Sequence, residues 1–158
     1  MTVGVEIIGS MSKNRHSILI VEDHEDTARA ISKLLLREGH EVHVEQTIGG
    51  AVSFCQQPNH RIDLLIADIT LPDGDGWDLM RRLMKICHPL KGIAFSGHGM
   101  PNDLEKSRLA GFTEHLTKPV LFEDLLASIS RVMNGSGNGS GVSAGNRQIR
   151  SGTGASPA

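Results

Sequence analysis

Hydrophobic and polar positions between residues 17 and 133 form two kinds of segment that alternate along the chain. Short runs rich in apolar and β-branched residues are typical of strands. Longer stretches with apolar residues at spacings of three and four are typical of amphipathic helices. The predicted strands cover residues 17–21, 41–45, 62–67, 91–95 and 114–116, and the predicted helices cover residues 25–37, 48–57, 77–85, 101–110 and 122–133.

This order of elements predicts an α/β fold with a five-stranded, doubly wound parallel sheet. The first and third predicted strands are almost wholly apolar, as strands covered on both faces should be, whereas the second alternates like an edge strand. Because strand–helix–strand crossovers are right-handed, we expect helices on both faces. Ligands of such sheets bind at the carboxyl ends of the strands, so the loops there should share one site.

We expect three zones of the chain to differ in whether they are folded. Residues 1–16 are interpreted as a flexible N-terminal extension and residues 17–133 as the folded domain. Residues 134–158 are interpreted as a disordered tail, because this Gly/Ser-rich stretch buries too little apolar surface to offset the entropy of ordering it. Met11 lies closer to the first strand and is a more natural opening to it than Met1. The sequence therefore leaves open whether the protein starts at Met1 or at Met11.

Composition narrows the classes of function. The 158 residues, enough for one domain, carry a formal net charge of -2, which gives no basic field for nucleic acid. No apolar run approaches the roughly 20 residues that span a bilayer. We therefore expect a soluble, cytoplasmic protein with no nucleic-acid or membrane partner. Cys55 and Cys87 are interpreted as buried apolar residues, Trp77 as a packing residue, and Asp73 and Asp75 as loop formers.

Polar residues follow four of the predicted strands at the edge where a site is expected. Glu22 and Asp23 follow the first strand, Asp68 the third, Ser96 the fourth and Lys118 the fifth. Three carboxylates in one cleft repel one another unless a cation lies among them, and Mg²⁺ prefers such oxygen ligands. A serine and a lysine can bind phosphoryl oxygens. A positioned aspartate can accept a phosphoryl group as an acyl phosphate, and Asp68 is the best placed.

Four segments in this order resemble the response-regulator receiver family, whose CheY-like members have a flavodoxin-like (βα)5 sandwich. The segments are IVED at 20–23, ADITLPDGDG at 67–76, FSG at 95–97 and TKP at 117–119, and the resemblance covers residues 17–133. It implies a receiver domain of a two-component or phosphorelay system, which accepts a phosphoryl group on Asp68 from a histidine kinase or histidine phosphotransfer protein with Mg²⁺. Such a protein is not an enzyme beyond self-assisted phosphoryl acceptance and slow autodephosphorylation.

The resemblance also implies how individual residues hold the metal ion. Asp23 and Asp68 would ligate Mg²⁺ directly, Glu22 would act through water, and the backbone carbonyl of Thr70 would complete the protein ligands. The bond between Lys118 and its following proline is expected to be cis.

The same resemblance implies a switch. Ser96 would move toward the phosphoryl group, and His115 occupies the position, two residues before the TKP segment, whose side chain moves inward with it. The side chains of Thr70 and His98 are candidates for setting the lifetime of the acyl phosphate.

Two other functions compete with this interpretation. Phosphatases of the haloacid dehalogenase type also use an aspartate nucleophile and Mg²⁺, but they carry a second acid where this chain has Thr70. The alternative is a receiver-like scaffold that binds partners irrespective of phosphorylation. No output segment follows Met133, so we expect docking on the face of the fourth helix, fifth strand and fifth helix, which includes Leu104, His115 and Phe122. Whether the receiver stands alone or derives from a hybrid kinase stays open.

Overall fold

The computed structural model describes residues 15–97 and 101–135, which contain five main strands and five helices. The strands are β1 (Ser17–Val21), β2 (Glu41–Glu45), β3 (Leu64–Asp68), β4 (Lys91–Ser96) and β5 (Glu114–Thr117). The helices are α1 (Glu25–Arg37), α2 (Ile48–Cys55), α3 (Gly76–Ile86), α4 (Pro101–Ala110) and α5 (Phe122–Met133). A two-residue antiparallel hairpin joins Thr70–Leu71 to Gly74–Asp75 between β3 and α3. His98 and most of the two predicted extensions lie outside the described residues.

The main strands form one parallel sheet in the order β2-β1-β3-β4-β5. Its two faces carry separate apolar cores, because successive side chains of a strand point to opposite faces. Ile18 and Ile20 of β1 join the core under α1 and α5, whereas Leu19 and Val21 join the core under α2, α3 and α4. This doubly wound arrangement confirms the predicted fold class.

Two predicted boundaries differ from the structure by two residues, whereas the other differences are of one residue. β3 begins at Leu64 and not at residue 62, because Ile62 is buried in the core without entering the sheet. α2 ends at Cys55 and not at residue 57, since Pro58 disfavours helical backbone at the residue before it. The apolar pattern therefore identified buried positions correctly but did not separate core packing from strand pairing.

The beginning of α2, where Gly49 and Gly50 make the sequence a poor helix former, is held by two side chains. Thr47 is the N-cap and accepts a hydrogen bond from the Gly50 amide at 3.0 Å. Asp73, expected only to form a loop, accepts from the amides of Ile48 and Gly49 at 2.9 and 3.0 Å. These bonds hold the pKa of Asp73 below its usual value. They satisfy three amides that a helix start leaves without partners.

Both cysteines are free and buried, which confirms their interpretation as apolar residues. Burial, with the neighbouring Cys87 thiol adding to it, raises the pKa of Cys55 to about 12. In the part of the chain that the structure describes, no helix is both long and apolar enough to cross a membrane.

Candidate functional site

The three acids predicted to form a cation site lie together at the carboxyl edge of the sheet. Glu22 and Asp23 follow β1, and Asp68 is the last residue of β3. One donor atom from each of these acids, together with one from His24, lies within 4.8 Å of the others. Glu22 and Asp68 are 1% and 6% exposed, whereas Asp23 and His24 face solvent. His24 stands next to the IVED segment but was not among the predicted ligands.

Lys118 joins two of the acids from the end of β5. Its Nζ donates to Asp68 Oδ2 at 2.7 Å and to Glu22 Oε1 at 2.9 Å. Burial alone would lower the pKa of Lys118, but the hydrogen bonds and charges of Asp68 and Glu22 raise it above its usual value. The ammonium therefore stays charged and offsets one of three formal negative charges. The bond between Lys118 and Pro119 is cis, as predicted.

The backbone around Asp68 is tightly packed. The amide of Thr70 donates to Asp68 Oδ1 at 3.2 Å, and the Thr70 side chain is exposed. Gly76, at the start of α3, passes so close that a Cβ atom there would overlap the carbonyl oxygen of Asp68. The Gly76 amide donates to the Ile69 carbonyl at 2.7 Å. The loop thus closes over the end of β3. Asp75 is the N-cap of α3, and its side chain accepts a hydrogen bond from the amide of Asp78, the third residue of the helix, at 2.8 Å.

A buried chain of hydrogen bonds leads away from the acids. Ser96, at the end of β4, has its Oγ 2.7 Å from Nε2 of His115. The Nδ1 atom of His115 lies 2.8 Å from Oγ of Ser107 in α4, and the indole N–H of Trp77 donates to the same Oγ at 2.9 Å. The structure therefore brings together the two predicted switch residues. It also adds Ser107, which sequence reasoning missed, and a hydrogen bond from Trp77, which packs against the core as expected.

The surroundings of His115 favour the neutral form of its imidazole. Burial lowers its pKa, and the charge of Asp103 opposes this only in part. A neutral imidazole has one N–H and one acceptor nitrogen, so one flanking hydroxyl accepts from His115 while the other donates to it. Because the indole of Trp77 can only donate, the Oγ of Ser107 must accept there.

One expectation about the surface was wrong. His115 was predicted to lie on a partner-docking face, but it is 3% exposed because its ring is directed at Ser96 and Ser107. Leu104 is half-buried in α4. Phe122 is exposed, but it lines an open cavity of about 590 Å³ between α1 and the start of α5, beside Lys118.

The fold and the site define a doubly wound α/β domain with an acidic cluster and a lysine at the carboxyl ends of its strands. The sequence model of the response regulator receiver domain matches residues 18–130. The chain therefore belongs to the response regulator receiver family.

Relatives of this chain are signalling proteins of different lengths. Chemotaxis protein CheY of Bacillus subtilis is 29% identical over 119 residues, which cover 75% of this chain and 98% of CheY. The DNA-binding transcriptional regulator NtrC of Azospirillum brasilense is 30% identical over 119 residues, 75% of this chain but 24% of NtrC. Hybrid signal transduction histidine kinase D of Dictyostelium discoideum is 32% identical over 120 residues, 71% of this chain and 8% of the kinase. The chain thus spans a quarter or less of the last two proteins.

Solved structures agree with the fold. A crystal structure of a CheY-like response regulator receiver domain protein from Methanospirillum hungatei JF-1 superposes with a TM-score of 0.68 at 30% identity, over 73% of this chain and 91% of that one. The non-phosphorylated HemR receiver domain from Leptospira biflexa superposes with a TM-score of 0.67 at 27% identity, over 73% and 92% of the two chains.

Proposed function

We propose that this chain is a phosphoacceptor of a two-component or phosphorelay system and that Asp68 receives the phosphoryl group from a phosphohistidine. The donor would be a histidine kinase or a histidine phosphotransfer protein. The observation that carries the proposal is the contact of the Lys118 ammonium with Asp68 at 2.7 Å and Glu22 at 2.9 Å, beside Asp23. A carboxylate held next to a fixed cation and further acids is suited to phosphoryl transfer with a divalent metal ion.

The residues of the acidic cluster fit Mg²⁺. Asp23 and Asp68 offer carboxylate oxygens, and the backbone carbonyl of Thr70 would complete the protein ligands, with Glu22 acting through water. Lys118 leaves two of the three formal negative charges unbalanced, which suits a divalent cation. When bound, Mg²⁺ supplies positive charge next to the oxygens of the transferring phosphoryl group.

In the transfer step, a carboxylate oxygen of Asp68 forms a bond to phosphorus while the bond between phosphorus and the imidazole nitrogen of the donor breaks. The nitrogen keeps the electron pair and takes up a proton from solvent. Lys118 is already within hydrogen-bonding distance of Asp68 and can donate to a phosphoryl oxygen. Attack of water on the acyl phosphate releases phosphate and restores Asp68, and the side chains of Thr70 and His98 are the candidates for setting that rate.

The switch that we propose starts at Ser96. In this switch the Ser96 hydroxyl would move toward a phosphoryl oxygen and away from His115, whose Nε2 would then lie buried without that partner. The loss favours movement of His115 and, with it, of α4, β5 and α5. Output would follow from a partner that docks on this face, near Leu104, in the rearranged state.

The proposal is tested by incubating the full chain with acetyl phosphate and Mg²⁺ and reading the intact mass. We expect a phosphoryl adduct that chelation of Mg²⁺ prevents, that Asp68→Asn abolishes, and that Asp26→Asn, at an exposed aspartate of α1, retains. If neither acetyl phosphate nor a phosphohistidine donor gives an adduct, the chain is the phosphorylation-independent scaffold.

A further inference from the structure

His24 contributes a nitrogen to the acidic cluster. Its Nδ1 lies 3.0 Å from Glu22 Oε2 and 3.4 Å from Asp23 Oδ1. The backbone amide of His24 donates to the same Glu22 oxygen at 3.1 Å, which fixes the residue beside the site. Its side chain is 70% exposed, so the ring can adjust without disturbing the core.

These spacings match those of ligands around one metal ion. Two neighbouring ligands of an octahedral ion, each bonded at about 2.1 Å, lie about 3.0 Å apart, and two opposite ligands lie about 4.2 Å apart. The imidazole nitrogen of His24 is at nearly the first spacing from Glu22 and Asp23. All four donors, including Asp68, fall within 4.8 Å of one another. Small movements of side chains would therefore bring the His24 nitrogen onto the ion held by Asp23 and Asp68, with Glu22 acting through water beside it.

Charge favours the same arrangement. Among the described residues, Lys118 is the one cationic side chain besides His24 that lies within hydrogen-bonding distance of the buried acids Glu22 and Asp68. A neutral imidazole binds a metal through a lone pair and adds no charge, so the deficit of positive charge is that of one divalent cation.

We propose that His24 is a ligand of the divalent cation held by Asp23 and Asp68, and that it shifts the preference of this site from Mg²⁺ toward first-row transition-metal ions. Mg²⁺ takes oxygen ligands almost exclusively, whereas imidazole suits the transition ions. This inference rests on the proposed function, because it concerns the cation site that serves Asp68. It predicts that the chain binds Mn²⁺ more tightly than Mg²⁺ and that the His24 ring is the reason.

The test uses Mn²⁺ as the probe and pulsed electron paramagnetic resonance as the readout. Mn²⁺ bound to the full chain should show coupling to an imidazole ¹⁴N nucleus. The coupling should disappear in His24→Ser. His24 is the N-cap of α1, and serine is a residue favoured at that position. His43→Ser is the matched control, because His43 also contacts a carboxylate, Glu45 at 2.6 Å, but stands outside the cluster.

Affinities measured by titration give the second readout. We expect His24→Ser to weaken Mn²⁺ binding on the order of tenfold, a loss typical for residues that support a metal site. Mg²⁺ binding should change less than about twofold, since oxygen ligands carry it. His43→Ser should change neither affinity.

The outcomes separate this inference from the proposed function. If both ions bind, Asp68→Ala weakens both, and no ¹⁴N coupling is seen or the coupling survives His24→Ser, His24 is not a ligand and the proposed function stands. If neither ion binds the wild-type chain, both proposals fail.

Discussion

The hydroxyl of Ser107 joins the indole of Trp77 to the imidazole of His115, and Ser107→Ala removes this link while leaving the helix-forming tendency of α4 intact. Ser107 is buried, so water cannot readily replace its hydroxyl. We expect the variant to fold and to be substantially less stable than the wild type.

The expected loss follows from the two groups that lose their partner. A buried polar group without a hydrogen bond costs about 1–3 kcal/mol. His115 is buried, so its Nδ1 atom should contribute near the middle of this range. Trp77 is only half-buried, so water can reach its N–H and its share should be near the lower end. Together we expect the free energy of unfolding to fall by about 3 kcal/mol.

Urea unfolding followed by far-ultraviolet circular dichroism measures this loss. Ser53→Ala, at an exposed serine in α2, is the control and should change the free energy of unfolding by less than about 0.5 kcal/mol. Trp77→Phe should lower the free energy of unfolding by about 1 kcal/mol less in the Ser107→Ala background than in the wild type, because the hydrogen bond that it removes is already absent there.

Two results would refute the reasoning. If Ser107→Ala is no more damaging than Ser53→Ala, the hydroxyl does not satisfy buried groups. If the Ser107 and Trp77 substitutions are additive within about 0.5 kcal/mol, the two residues are not linked.

Three further outcomes follow from other contacts. Arg131→Ala should lower the free energy of unfolding by about 2 kcal/mol in urea titrations, since the buried carboxylate of Glu114 loses two hydrogen bonds of 2.8 Å. Because burial lowers the pKa of His115, the unfolded chain takes up a proton near 6.5 while the folded chain does not. Stability should therefore fall more steeply below pH 6.5 in the wild type than in His115→Phe, as unfolding at a series of pH values would measure. Gly76→Ala should lower stability by about 1–3 kcal/mol in the same assay, because its Cβ atom would overlap the Asp68 carbonyl oxygen.

The sheet and most of the acidic cluster could be predicted from the sequence because both follow from local pattern. β1 is apolar on both faces, and a parallel sheet fixes which ends of its strands meet. The ladder that pairs Ser96 with Thr117 therefore sets Ser96 and Lys118 at the edge where Asp68 ends β3. The pairing of the strands alone therefore predicts that these residues lie near one another, without any information on side-chain packing.

Ser107 and His24 could not be predicted in the same way. Ser107 is a polar residue in a helix of mixed sequence, and its only signal is its place on one face with Leu104 and Ala110, three residues to either side. Its partners come from α3 and β5, which only the packed fold brings near. His24 has a signal, since it directly follows Glu22 and Asp23, but the direction of its ring depends on the turn into α1.

The contacts at this site explain how one covalent group could bias the whole domain. Lys118 is bonded to Asp68 and Glu22, and Ser96 is bonded to His115, so both groups proposed to bind the phosphoryl oxygens already have partners. Phosphorylation would exchange these hydrogen bonds for others of the same kind and would not create contacts where none existed. The two states would then differ by only a few kcal/mol, which is the condition under which a local change shifts a population. The buried hydrogen bond between His115 and Ser107 couples this equilibrium to the position of α4. Removal of the Ser107 hydroxyl should therefore alter the switch as well as the stability of the fold.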